Sequence, residues 1–169
     1  GHAPNGNPDP GACGCGLEEH AVAKAIADRV EGYLEAAGVP VVGNLQSDSL
    51  GEITQAANAS GADFFISIHC NAFSNPNSNG METYYYAGSW KSERLARLLN
   101  EELAAAGGLY NRGVKTANFY VIKHSSMPSS LAELAFVTNP REEALLSDDS
   151  YQEKLAGAIA RAIGRFFSK

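Results

Sequence analysis

Apolar positions along this chain follow two rhythms. Between Leu17 and Ala37, the residues Val22, Ala23, Ile26, Val30, Tyr33 and Leu34 form one stripe at about 100° per residue. That period predicts an amphipathic helix, and Gly38 suits its C-terminal cap. Residues 63–70 instead form a dense apolar run behind Gly61, read as a strand buried on both faces. Val39 to Val42, Met81 to Tyr86, Phe119 to Ile122 and Leu131 to Val137 are further strand candidates. Ser49-Leu-Gly-Glu52 is a capping box that opens a helix to about Ser60, and Ser150-Tyr-Gln-Glu153 is a second, opening a helix to about Phe167. Helices are also expected from Lys91 to Ala106, stopped by Gly107-Gly108, and from Asn139-Pro140, where proline fits a first turn. Polar loops rich in Gly, Pro and Asn fill 1–16, 71–80 and 123–130.

Strands alternating with helices of this length imply the α/β class: a largely parallel twisted sheet with helices on both faces. The 169 residues suit a single domain. The net charge of −6 argues against nucleic acid as a partner. No apolar run approaches the length of a membrane span. The chain begins at Gly1-His2 without an initiator Met, so it is expected to be trimmed or excised from a longer protein. Cys13, Cys15 and Cys70 show no disulfide framework spacing, and free thiols are favoured over a soft metal pair at Cys13-Gly14-Cys15.

Four residues sit oddly in these patterns. His69 ends the apolar run at 63–70, the strand edge where open α/β sheets bind ligands. It reads equally as a metal ligand, an acid/base or a bonded core residue. Glu19 falls on the middle of the first helix's apolar stripe and Glu18 about a quarter turn away. Glu19 is thus either a ligand or an acid placed to suit the helix's first turn. Glu133 interrupts the apolar Leu131-Ala-Glu-Leu-Ala-Phe136, either as a desolvated acid/base or as a residue facing water from an edge strand. His2 alone carries little. Together, two imidazoles and one carboxylate suffice for a catalytic zinc site with an open position, and a further carboxylate can shuttle protons there. No short-spaced motif such as His-Glu-x-x-His accompanies them.

Collinear motifs extend this reading. Gly1-His2, Asp9-Pro10-Gly11-Ala12 and Gly16-Leu17-Glu18-Glu19 resemble the opening of the zinc-dependent N-acetylmuramoyl-L-alanine amidases, the Amidase_3 family. Ser67-Ile68-His69-Cys70-Asn71-Ala72 resembles its second histidine motif, and Gly80-Met81-Glu82-Thr83-Tyr84-Tyr85-Tyr86 its following strand. Arg112-Gly113-Val114-Lys115 with Phe119-Tyr120-Val121-Ile122 is similar to its next strand and loop, and Pro128 to Asn139 to its catalytic-glutamate segment.

The resemblance implies that His2, Glu19 and His69 ligate one Zn²⁺ and that Glu133 is catalytic. It implies hydrolysis of the amide between N-acetylmuramic acid and L-alanine of peptidoglycan, in the bacterial cell envelope or by a phage or sporulation lysin; separately, a monomer is expected. Asn71 is then a candidate contact for glycan or peptide, or else a turn residue; His20 is expected in solvent, His124 in an exposed loop, and Tyr84, Tyr85 and Tyr86 in sheet packing. Relative to the family, the hydrophobic strand before Gly-His is missing, which would leave His2 the least anchored ligand. Cys70 would put a stray thiolate beside His69. The short 71–80 loop implies an open groove without an autoinhibitory insertion. Alternatives are another zinc peptidase or carboxypeptidase, a non-catalytic wall-binding module, and a non-haem iron site.

Overall fold

The computed structural model describes residues 2–14 and 16–168, so Cys15 lies outside the described residues. The elements run α1 (Glu19–Ala36), α2 (Leu50–Ala59), β1 (Phe65–Asn71), β2 (Met81–Tyr85), α3 (Trp90–Gly107), β3 (Asn111–Thr116), α4 (Tyr120–Lys123), β4 (Ser129–Phe136), α5 (Pro140–Leu146) and α6 (Asp149–Phe167). They form a single α/β domain around one open four-stranded sheet of order β1-β4-β2-β3. β1 pairs parallel with β4, and β2 parallel with β3; the two pairs join through an antiparallel β2–β4 contact.

Period-2 alternation divides the strands between two faces. Ile66, Ile68, Cys70, Met81, Ala132 and Leu134 point into the main core beneath α1, α3 and α6. Ile26, Leu95, Leu99, Leu155 and Ile159 close that core with 1% exposure or less. Each such side chain contributes about 1.5–3 kcal/mol by leaving water. On the other face, Phe65, Leu131 and Tyr84 pack with Ile53 of α2 and Val121 and Ile122 of α4. This smaller cluster covers only one end of the sheet. Tyr84, Tyr85 and Tyr86 are half-buried, as sheet packing requires.

Several expected elements differ. Val39 to Val42 forms no strand: Val39 and Val41 lean on the core while Val42 is 61% exposed. Pro40 supplies no N–H for a ladder. Phe119 to Ile122 is a strand candidate that folds as the single helical turn α4, burying Val121 and Ile122. Four apolar residues do not distinguish the two conformations. Strand β3 escapes the hydrophobic pattern because it is a sheet edge, with charged and glycine residues. At α2, Ser49 caps the Glu52 N–H as expected, but the Glu52 carboxylate turns to the Ser47 hydroxyl instead of completing the box. The cap of α6 is Asp148 and not Ser150; its carboxylate accepts from the Ser150 and Tyr151 N–H groups.

Candidate metal centre

The uncovered end of the second sheet face gathers the candidate site residues. His69 on β1 pairs in register with Glu133 on β4, which pairs with Glu82 on β2. Residues opposite one another on adjacent strands share a face, so these three side chains form one row. The β4 strand is interior, so Glu133 is not the water-facing edge residue that its pattern also allowed.

The loop ahead of α1 brings His2 to this row, and Glu19, the first residue of α1, joins it. The loop's Ala12 N–H donates to Glu19 Oε2 at 2.7 Å, and the Glu19 N–H donates back to the Ala12 carbonyl at 2.9 Å. Gly11 sits at the crossing with φ +75°; a Cβ there would lie 2.6 Å from Glu19 Oε2 and 2.7 Å from His2 Cδ2. Glycine is therefore required both for conformation and for space. The Gly16 and Leu17 N–H groups donate to Glu143 Oε1 and tie the loop to α5.

Three donors converge. His69 Nδ1 lies 2.7 Å and His2 Nε2 3.1 Å from Glu19 Oε1, and one donor atom from each of the three residues falls within 4.8 Å of the others. The imidazoles meet edge to face with centroids 5.1 Å apart. Each donor is held from behind. Asp9 Oδ2 is 2.8 Å from His2 Nδ1, Ser67 Oγ is 2.9 Å from His69 Nε2, and the Cys70 N–H donates to Glu19 Oε1 at 3.0 Å. A carboxylate behind a histidine fixes its tautomer and orientation. His2, at φ +67°, is thus well anchored, against expectation. Glu19 is buried and Glu18 exposed, as the helical stripe requires.

The electrostatics separate the acids. Burial alone would raise the Glu19 carboxyl, but its contacts with His2 and His69 hold it well below the usual range. Contact with Glu19 raises His2 despite the opposing burial, whereas burial lowers His69. Glu133 is pushed up to about 8, first by burial and then by the charges of Glu19 and Glu82. Its Oε2 and His2 Nε2 are buried without a well-formed hydrogen bond. Burial pushes the Cys70 thiol up as well, and its side chain lies in the core, so no stray thiolate faces the site.

Asn71, from the end of β1, donates to Glu82 Oε1 at 2.7 Å and accepts from the Ala72 N–H at 2.9 Å. His124 is exposed, as expected, but His20 is not: its side chain is 12% exposed, tucked against Gly6. Asp9, Ser67, Glu82 and Glu142 were not singled out by the pattern. Glu82 offered the same signal as Glu133, an acid inside an apolar strand.

Two histidines, a low-pKa carboxylate and a high-pKa carboxyl at the open end of an α/β sheet are the parts of a metallohydrolase. A family model described as N-acetylmuramoyl-L-alanine amidase, Amidase_3, matches residues 1–165, and the chain belongs to that family. It is 45% identical over 161 residues to N-acetylmuramoyl-L-alanine amidase LytC of Bacillus subtilis (strain 168), covering 92% of this chain but 32% of LytC. To the germination-specific N-acetylmuramoyl-L-alanine amidase of the same organism it is 30% identical over 183 residues, covering 98% and 77% of the two chains. The solved structure of N-acetylmuramoyl-L-alanine amidase AmiC2 of Nostoc punctiforme superposes with a TM-score of 0.87 at 34% identity, covering 95% of this chain and 91% of that one. The chain thus spans about a third of LytC and nearly all of the AmiC2 structure.

Proposed function

We propose that this chain is one catalytic unit that hydrolyses the amide between the lactyl group of N-acetylmuramic acid and L-alanine in peptidoglycan. The observation that carries the reading is the convergence of His2, Glu19 and His69 beside the unpartnered oxygen of Glu133. The donor set fits a zinc ion: two imidazole nitrogens and one carboxylate oxygen, close together, with His2 Nε2 lacking a sound hydrogen bond. Bound by these residues, zinc would polarise the scissile carbonyl and acidify water.

The protein's own groups do the rest. Asp9 and Ser67 fix the rings of His2 and His69. The Ala12 and Cys70 N–H groups aim the Glu19 carboxylate. Glu133 Oε2 takes the proton of the attacking water and returns it to the leaving alanine nitrogen, a role suited to a carboxyl poised near neutrality. Asn71 retains a second amide hydrogen at the rim and is proposed to contact glycan or peptide. The chain acts as a monomer in the cell envelope. No helix of the described residues is long and apolar enough to cross a membrane.

The test is Glu133→Ala assayed on purified muropeptides. Cleavage should fall about 10²–10⁴-fold, the usual worth of a positioned acid/base, while zinc content stays at one per chain. Cleavage at the parental rate would overturn the assignment.

A further inference from the structure

Glu82 touches no reacting atom in the chemistry above, though its charge helps raise Glu133, and it is 3% exposed and fully engaged. Its Oε1 accepts from Asn71 Nδ2 at 2.7 Å; its Oε2 accepts from Arg112 Nε at 3.1 Å and from Lys115 Nζ. One carboxylate meets two cations, leaving a local surplus of positive charge in a protein whose net charge is −6. The cations are within reach of solvent: the side chains of Arg112 and Lys115 are 34% and 40% exposed. Their aim is set. The Arg112 guanidinium lies 5.2 Å from the Phe136 ring centroid, and its Nη1 donates to the Asn79 carbonyl at 3.2 Å. Donors remain in excess. Of the five N–H groups of an arginine and the three of a lysine, Arg112 uses two and Lys115 one on partners among the described residues.

Position matters as much as charge. His69, Glu133 and Glu82 stand in one row on three neighbouring strands. Strand spacing of about 4.8 Å puts Glu82 and its cations ~10 Å from His69, beyond Glu133. An extended peptide covers about 3.3–3.6 Å per residue. A negative group seated there belongs roughly two to three residues from the bond being cut. The N-acetylated sugars of the glycan arm are neutral, whereas a peptide arm carries carboxylates, so the charge selects the peptide side.

We infer that Arg112 and Lys115, held in place by Glu82, receive a carboxylate on the peptide arm of the substrate a few residues beyond the cleaved bond. This rests on the amidase reading. Planar, forked donation by arginine with a point charge from lysine is a carboxylate receptor. Glu82 is a positioning residue that fixes both cations and keeps them from folding onto Glu133.

The experiment compares two synthetic muramoyl peptides that differ only in whether the carboxyl of the second residue is free or a carboxamide. With the zinc-loaded protein, kcat/KM should favour the free carboxylate by about tenfold or more, the worth of a charge-assisted hydrogen bond. Lys115→Met and Arg112→Gln should each pull that ratio toward one. The ratio is measured for both substrates on the same sample, so any loss of folded protein from exposing Glu82 cancels. Equal kcat/KM for the two substrates in the parent, or an unchanged ratio in both variants, would overturn the inference while leaving the amidase reading intact. Failure of the parent to cleave either substrate would overturn both.

Discussion

The two faces of the sheet are built from the same strands and the same alternation, yet only one carries the proposed site. Toward α1, α3 and α6 the strands send Ile66, Ile68, Met81, Ala132 and Leu134, and Thr83 satisfies its hydroxyl on the Ala96 carbonyl. That face is covered along its length. The opposite face is covered by α2 and α4 at the end that holds Phe65, Leu131 and Tyr84 and left open at the end that holds His69, Glu133 and Glu82. What separates core from site is the cover. The buried glutamates repeat the lesson. Glu142 accepts from the Gly80 N–H and the Phe136 N–H, both at 2.7 Å, so both its oxygens are engaged. Glu133 has an oxygen with no partner and a carboxyl pushed up to about 8. A satisfied buried acid holds structure together, and an unsatisfied one is free for the proton transfer proposed for Glu133.

The contrast breaks most visibly at these two acids. Glu133→Ala should lose about 10²–10⁴-fold in cleavage with its unfolding midpoint in denaturant no lower than the parent's, since it removes a strained carboxyl. Glu142→Ala should do the reverse. It orphans two buried N–H groups at about 1–3 kcal/mol each, and cleavage per folded molecule should persist; a loss of activity without a loss of stability would contradict the division. The faces themselves can be compared next. Leu99→Ala, in the covered core, should cost about 2–5 kcal/mol by urea unfolding. Leu131→Ala, in the small cluster, should cost less because its surroundings can collapse into the void. Equal costs would mean that the second face is packed as fully as the first. Metal linkage gives the last comparison. Zinc at about 100 times its dissociation constant should stabilise the metal-free protein by about 2.7 kcal/mol, a Tm rise of roughly 5–10 °C. Glu133→Ala should keep that rise and His69→Ala should lose it.

Much of this was legible in the pattern of residues. The stripe of α1 placed Glu19 inward and Glu18 outward, the apolar run ended at His69, and Glu133 stood out as an acid in an apolar strand. The collinear motifs then carried the family. Less legible were α4, whose four apolar residues suit a strand or a turn of helix, and β3, whose polar edge sequence hides its pairing. The anchoring of His2 was also out of reach, because Asp9 bonds it through a loop whose path no periodicity describes.

By itself the sequence determined the class of fold, the helix termini that carry strong caps, the inventory of candidate ligands and the family. These follow from local propensity and short-range period, which need no knowledge of what lies across the molecule. Only the tertiary structure decided that β4 lies inside the sheet, that His69, Glu133 and Glu82 share one row, and that Arg112 and Lys115 meet on Glu82. Strand order and register are set by packing between residues far apart in the chain. The same alternation that makes a strand amphipathic is silent about which neighbour it will find.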